Sequence, residues 1–222
     1  MIEYIKSQQQ TNNAIINNMF TEDELHRFSK SDSHWIRNKG KRYQHRKIRK
    51  GEIYQIEFGK NYTPEMSYEH RGLVIGVKQN LLYVLPICSY NPTKHTDVYH
   101  PIDFPKSQGN YYLLKSSEFT CINHDSVLKL NDIRTISVNR IMYQHSGSIP
   151  LTSDTYKKIE TLVLQKYFAE FYFEYENNNK NIEQLTEENI KLTEEIDSLK
   201  LTNNQLLKEL EHLRNNSAQI KD

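Results

Sequence analysis

Leucine recurs every seven residues towards the C-terminus, at Leu185, Leu192, Leu199, Leu206 and Leu213. The other seam position is held by Ile182, Asn189, Ile196, Asn203 and Leu210. A repeat of seven against 3.6 residues per turn keeps one apolar stripe on one side of a helix, so this segment is constrained to be helical. With the leucines at d, the second set falls at a. Leu at d with Ile at a favours two parallel strands, and Asn at a fixes register and dimer state at some cost in stability. Glu195 would face Lys200 of a partner and Glu209 would face Arg214, both attractive pairs. The run over residues 182–213 spans about 48 Å at about 1.5 Å per residue. The competing reading is a single amphipathic helix folded back on the rest of the chain. Two seam Asn weigh against it, because each would need a polar partner inside an apolar contact. The sequence therefore predicts a parallel homodimer through residues 182–213.

The remainder is long enough for one ordinary domain plus an extension, since the chain has 222 residues. Only 36% of residues are hydrophobic, which places part of the chain outside a core. The net charge of +1 argues neither for nor against a nucleic-acid partner. Its distribution is more informative. Arg37, Lys39, Lys41, Arg42, Arg46, Lys47, Arg49 and Lys50 follow one another with no intervening acid. That stretch is either a solvated linker or a contact for a phosphate backbone. Two cysteines, Cys88 and Cys121, do not make a disulfide scaffold. No apolar run approaches a membrane span and the N-terminus lacks a signal-peptide core, so the expectation is a cytoplasmic protein with no membrane partner.

Three regions follow. Residues 1–48 are an N-terminal helical and basic extension, with Thr21 and Glu24 forming a capping box and a second short helix at 14–19. Residues 49–176 are a β-rich domain closed by a helix, and residues 177–222 are the leucine-heptad coil. In the β-rich part Tyr54, Ile56 and Phe58 alternate with Gln55 and Glu57, as on a half-buried strand. Residues 73–77 and 81–87 are apolar runs joined by Lys78-Gln79-Asn80 at hairpin spacing. Residues 111–114 and 127–130 are further strands. Many short strands suggest a small curved sheet or barrel. Asn91-Pro92-Thr93-Lys94-His95 reads as an exposed loop. Ser153 caps a helix carrying Ile159, Leu162 and Val163. The aromatic residues 167–175 are expected to pack on the sheet, the alternative being a partner surface. Asn177-Asn178-Asn179-Lys180 reads as a weak break.

The β-rich part contains no Gly-rich phosphate loop, and its histidines are dispersed, so neither a metal nor another cofactor is expected. The strand edges instead carry Glu65, Glu69, His70, Arg71, Cys88, Ser89, Lys94 and Arg134. Such a set suits a phosphodiester. An Arg fork holds phosphate oxygens, a carboxylate or His moves a proton, and a hydroxyl or thiol fixes the scissile group.

Four strings occur in order: Arg49-Lys50-Gly51-Glu52-Ile53-Tyr54, His70-Arg71-Gly72-Leu73-Val74-Ile75, Pro86-Ile87-Cys88-Ser89 and Asp132-Ile133-Arg134-Thr135-Ile136. On these, residues 50–141 resemble the MazF/PemK toxins, small endoribonucleases of bacterial toxin–antitoxin systems. The resemblance leaves out the N-terminal extension and the heptad helix. It implies a mainly β, SH3-like barrel, here with flanking helices and a long C-terminal coiled-coil helix. It also implies sequence-selective, metal-independent cleavage of single-stranded RNA through attack of a 2′-hydroxyl on the adjacent phosphorus. Catalytic roles fall to Arg71, Cys88, Ser89 and Glu65, with Glu69 or His70 as substitutes for Glu65. RNA contacts fall to Arg49, Lys50, His70, Lys94 and Arg134. An antitoxin or another inhibitor would occupy the same groove. A separate reading, resting on the cations just before the first strand, is that the N-terminal extension covers the groove in cis.

Three positions depart from the family pattern: Cys88 replaces Thr, Gly72 replaces Pro, and Asp132 replaces Gln. Cys88 is a poorer hydrogen-bond donor, Gly72 loosens a strand start, and Asp132 pairs with an Arg or repels RNA. A surface ion pair with Glu69 is the alternative role for Arg71, and a brace for the fold is the alternative for Arg134. The competing functions are a non-catalytic nucleic-acid-binding regulator and a coiled-coil adaptor built on the same barrel.

Overall fold

The computed structural model describes residues 1–18, 21–41, 47–107 and 109–219, the last nine of these in backbone only. Arg42 and Arg46 of the basic stretch, Met19 of the expected short helix, and the Leu213 and Arg214 side chains of the heptad segment lie outside the described residues or atoms. The chain divides into two units, residues 1–167 and 168–222.

The first unit opens with helices α1 (Ile2–Asn17) and α2 (Glu22–Asn38). α1 starts far earlier than the expected 14–19 and buries no residue. α2 begins at the capping box: Thr21 Oγ1 accepts from the Glu24 amide at 3.2 Å, and Thr21 N donates to Glu24 at 2.9 Å. Eight strands follow: β1 (Glu52–Glu57), β2 (Glu69–Lys78), β3 (Leu81–Ser89), β4 (Val98–Tyr99), β5 (Tyr111–Leu114), β6 (Ser126–Lys129), β7 (Arg134–Ser137) and β8 (Ile141–Ser148). They make one sheet in the order β4-β5-β6-β3-β2-β1-β8, with β7 added on β3. Every pairing is antiparallel except β4 with β5. The β2–β3 hairpin turns where Lys78-Gln79-Asn80 placed it, with Gln79 at φ 55°. The expectation of a mainly β chain needs correcting. The fold is mixed α/β, and the described pairings form an open path with β4 and β8 at its ends.

Strand alternation sends successive side chains to opposite faces. Here both faces find cover. Ile53, Leu73, Leu85 and Ile87 face one core, completed by Tyr156, Ile159, Leu162 and Val163 of α3 (Asp154–Tyr167). Tyr54, Ile56, Val74, Leu82 and Val84 face a second core, closed by Phe58, Met66, Ile136 and Val138. The sheet is therefore not the one-sided surface that the Gln55 and Glu57 alternation suggested; Glu57 itself is buried. Gly72 fits this two-sided packing. A Cβ there would meet Ile56 Cδ1 at 2.6 Å, so the glycine permits close approach of β1 and β2 rather than loosening the strand. α3 is capped by Ser153, whose Oγ accepts from the Tyr156 amide at 3.2 Å.

The second unit is a single helix, α4 (Ala169–Gln219). It runs through Asn177–Lys180 without the expected break, because Asn costs a helix only a few tenths of a kcal/mol, about 0.7 at most. Along this helix Phe168, Phe171, Phe173 and Tyr175 are exposed. The seam residues Ile182, Leu185, Leu192, Ile196, Leu199, Leu206 and Leu210 are exposed too. Among the described residues no helix is long and apolar enough to cross a membrane.

Candidate active site

Arg71 sits near the start of β2, opposite Gln55 of β1 and Ile87 of β3. This register brings it to the end of β3, where Ser89 pairs with Ser126 of β6. The guanidinium donates to Ser126 Oγ at 3.1 Å and lies 3.3 Å from His124 Nε2. His124 Nε2 is in turn 2.8 Å from Ser89 Oγ. A guanidinium can only donate, so Nε2 accepts, and the imidazole carries its proton on Nδ1. The Nε2 lone pair thus faces Arg71 and Ser89 together.

The loop before β6 is held firmly. Asp125 accepts from the Ser116 amide at 2.9 Å and from its hydroxyl at 3.0 Å, and the Tyr90 amide donates to the Asp125 carbonyl. Those bonds hold the Asp125 carboxyl below its ordinary range. His124 is therefore presented by a braced turn.

Arg71 has no carboxylate within ion-pair distance among the described residues. Glu69, its suggested partner, engages Lys30 of α2 and Gln55 Nε2. Burial holds the Arg71 guanidinium below its ordinary value. An unpaired, partly desolvated cation with hydroxyls and an imidazole around it is a site poised for an anion. His145 of β8 adds to this surface. Its Nε2 is 3.0 Å from Gln55 Oε1, and burial, then the Arg71 charge, hold its ring below the usual imidazole range. Tyr143 stands beside it, the ring centroids 5.3 Å apart. A polar chain runs Lys30–Glu69–Gln55–His145, connecting α2 to the site.

The other sequence-selected residues are placed differently. Cys88 precedes Ser89 and so faces the opposite side, packed towards Val98, Leu113 and Val127. Its sulfur is 3.7 Å from His95 Nε2, and burial pushes its thiol upward. Glu65 does not accompany Arg71. It lies 3.4 Å from Arg134, which also bonds Asp132 at 2.7 Å. Asp132 further accepts from the Met66 amide at 2.8 Å and lies 3.5 Å from Lys129. Asp132 is thus consumed in an ion-pair network, and Arg134 braces the 59–67 loop. His70 alternates to the side away from Arg71, and burial, then Arg27 and Lys129, hold it below its ordinary value. Arg49 and Lys50 are exposed just before β1, with Lys50 3.8 Å from Glu160. Lys94 is exposed in the turn after β3. Of the nine residues selected from sequence, the fold joins Arg71 with Ser89 in one cluster.

His124, Ser126 and His145 escaped the sequence reading. His124 is 53 residues from Arg71, and its only local mark is an Asn-His-Asp turn before a strand. Among the described residues, no three His, Cys, Asp or Glu side chains are grouped to hold a metal ion. No protein-family model matches this chain, and no curated protein matches its sequence.

Proposed function

We propose that the chain is a metal-independent endoribonuclease that cleaves single-stranded RNA, of the kind the MazF/PemK resemblance implies. The SH3-like barrel of that family is the finer description we give to the sheet. The observation that carries the reading is the convergence of unpaired Arg71 with His124, Ser89 and Ser126. In this mechanism His124 Nε2 takes the proton of a 2′-hydroxyl, and the 2′-oxygen attacks the adjacent phosphorus. Arg71 holds the equatorial oxygens as negative charge builds on them. Ser89 and Ser126 orient the phosphate. The bond from phosphorus to the 5′-oxygen breaks, leaving a cyclic phosphate and a 5′-hydroxyl. The leaving oxygen takes its proton from water, and the His124 imidazolium returns a proton to the resulting hydroxide. His124 here fills the role first given to Glu65, which Arg134 occupies.

The exposed seam of α4 supports the parallel homodimer through residues 182–213, because two copies would bury it and pair Asn189 and Asn203 across the axis. An antitoxin or another inhibitor would act by covering Arg71 and His124.

The test is incubation of the purified chain with single-stranded RNA in excess chelator. Cleavage to cyclic-phosphate ends, retained in chelator and lost in His124→Ala, is the expected result. RNA left intact by the wild-type chain, with binding retained, would instead favour the non-catalytic regulator.

A further inference from the structure

The C-terminal half of α2 forms one wall of a second cleft, about 430 Å³ in volume. Ser31, His34, Trp35, Asn38 and Lys39 line it on one side, and Glu57, Lys60 and Arg140 line it on the other. The walls are tied together. Ser31 Oγ donates to the buried Glu57 carboxylate at 3.0 Å, and Asn139 Nδ2 donates to the carbonyls of Asn38 at 3.2 Å and Lys41 at 2.7 Å.

The charge in this cleft is unevenly satisfied. Both of its carboxylates are occupied: Asp32 by Lys60 at 2.5 Å, and Glu57 by Ser31 and the Gly59 amide. Two of its cations have no carboxylate partner among the described residues. Arg140 donates only to the Glu57 carbonyl at 3.0 Å, and Lys39 rests 4.9 Å from the Trp35 ring centroid. The C-terminal end of α2 brings partial negative charge here. Its Asn38 carbonyl is engaged by Asn139, and Lys39 lies beside it. Trp35 remains 61% exposed, an unusual state for the largest aromatic side chain. An exposed aromatic ring with Lys39 over one face and Arg140 across the cleft, neither cation held by a carboxylate among the described residues, matches the two halves of a nucleotide, a base to stack on the other face and a phosphate to hold.

We propose that this cleft is a nucleotide-binding site, with the base against Trp35 and the phosphate between Lys39 and Arg140. The ligand is a free nucleotide or one nucleotide unit of an RNA strand. The site lies between the N-terminal extension and the sheet domain, outside the Arg71 cluster, and does not depend on RNA cleavage.

Trp35 is the only tryptophan, so its emission reports this cleft alone. Adenosine monophosphate and a non-cleavable 2′-O-methyl oligoribonucleotide are titrated separately into the full chain. Saturable quenching is expected from at least one of them. Quenching by the mononucleotide alone assigns a free nucleotide, and quenching by the oligonucleotide assigns a strand unit. Lys39→Gln, at an exposed position, and Arg140→Gln should each weaken binding about tenfold or more. Trp35→Ala, followed by calorimetry, should weaken it about fivefold to 150-fold. Arg71→Ala should leave the quenching unchanged, which separates this site from the cleavage site. Absence of quenching by both probes, equal affinity in Lys39→Gln and Arg140→Gln, or loss of quenching in Arg71→Ala would each overturn the proposal.

Discussion

Two arginines, on β2 and β7 with β3 between them, predict opposite outcomes when truncated. Arg71 is half-buried and bonded only to neutral groups, Ser126 and His124. Removing it relieves a desolvated charge and orphans no carboxylate. Ser126 Oγ keeps its bond to the His124 carbonyl at 2.8 Å. Arg71→Ala should therefore change folding stability by less than about 1 kcal/mol. Arg134 is bonded to Asp132, whose side chain is 9% exposed. Arg134→Ala leaves that carboxylate with Lys129 and the Met66 amide alone. Breaking one partner of a buried pair costs about 3–5 kcal/mol, and the remaining Lys129 contact sets the loss near the lower end, about 3 kcal/mol. Activity should invert this order. Loss of one donor to a developing phosphorane charge costs about 100-fold to 1000-fold in rate. Arg71→Ala should fall by that factor, while Arg134→Ala, assayed where it is still folded, should fall far less. Urea denaturation of both variants, with single-turnover cleavage of a fluorescent RNA, makes the comparison. If Arg71→Ala lost more than about 2 kcal/mol of stability, or cleaved at the wild-type rate, the assignment of Arg71 to the substrate would be refuted.

Ser31→Ala removes a hydroxyl from the buried Glu57 carboxylate and should cost about 1–3 kcal/mol, read as a lower urea midpoint and faster proteolysis of α2. His34, His70, His95 and His145 are held below the ordinary imidazole value chiefly by burial. Each takes up a proton more readily when unfolded, so its contribution is complete above about pH 6.5 and is lost as pH falls through the lower folded value. The urea midpoint should drop between neutral and mildly acidic pH, and His70→Gln should flatten that drop; a midpoint that rises on acidification contradicts the sign. Leu192→Asp with Leu199→Asp puts like charges in the α4 seam, and equilibrium sedimentation should then give a monomer where the wild type gives a dimer. A wild-type monomer at micromolar concentration would remove the dimer altogether.

Much of the local structure was legible because its causes are local. The Thr21–Glu24 capping box, the Lys78-Gln79-Asn80 turn, the Ser153 cap and the Leu heptads each act within a few residues, and each element formed where the pattern placed it. That Arg71 and Ser89 lie at strand edges near one another was also legible, since strand edges concentrate polar groups. Cys88 misled because one step along a strand changes the face, and its sulfur belongs to the side away from Arg71. Glu65 misled because proximity in sequence to Arg71 gave no sign that Arg134 would claim it from much further along the chain.

The sequence by itself determined that this chain carries a long seam-bearing helix, a capped N-terminal helix and a set of alternating strands, because helix and strand periods are written in neighbouring residues. Tertiary structure alone decided which polar groups meet. It placed His124 between Arg71 and Ser89, gave Glu65 to Arg134, and set Trp35 opposite Arg140. Those meetings depend on strand order and register, and on where the loops and α2 dock against the sheet, which no short window of sequence encodes.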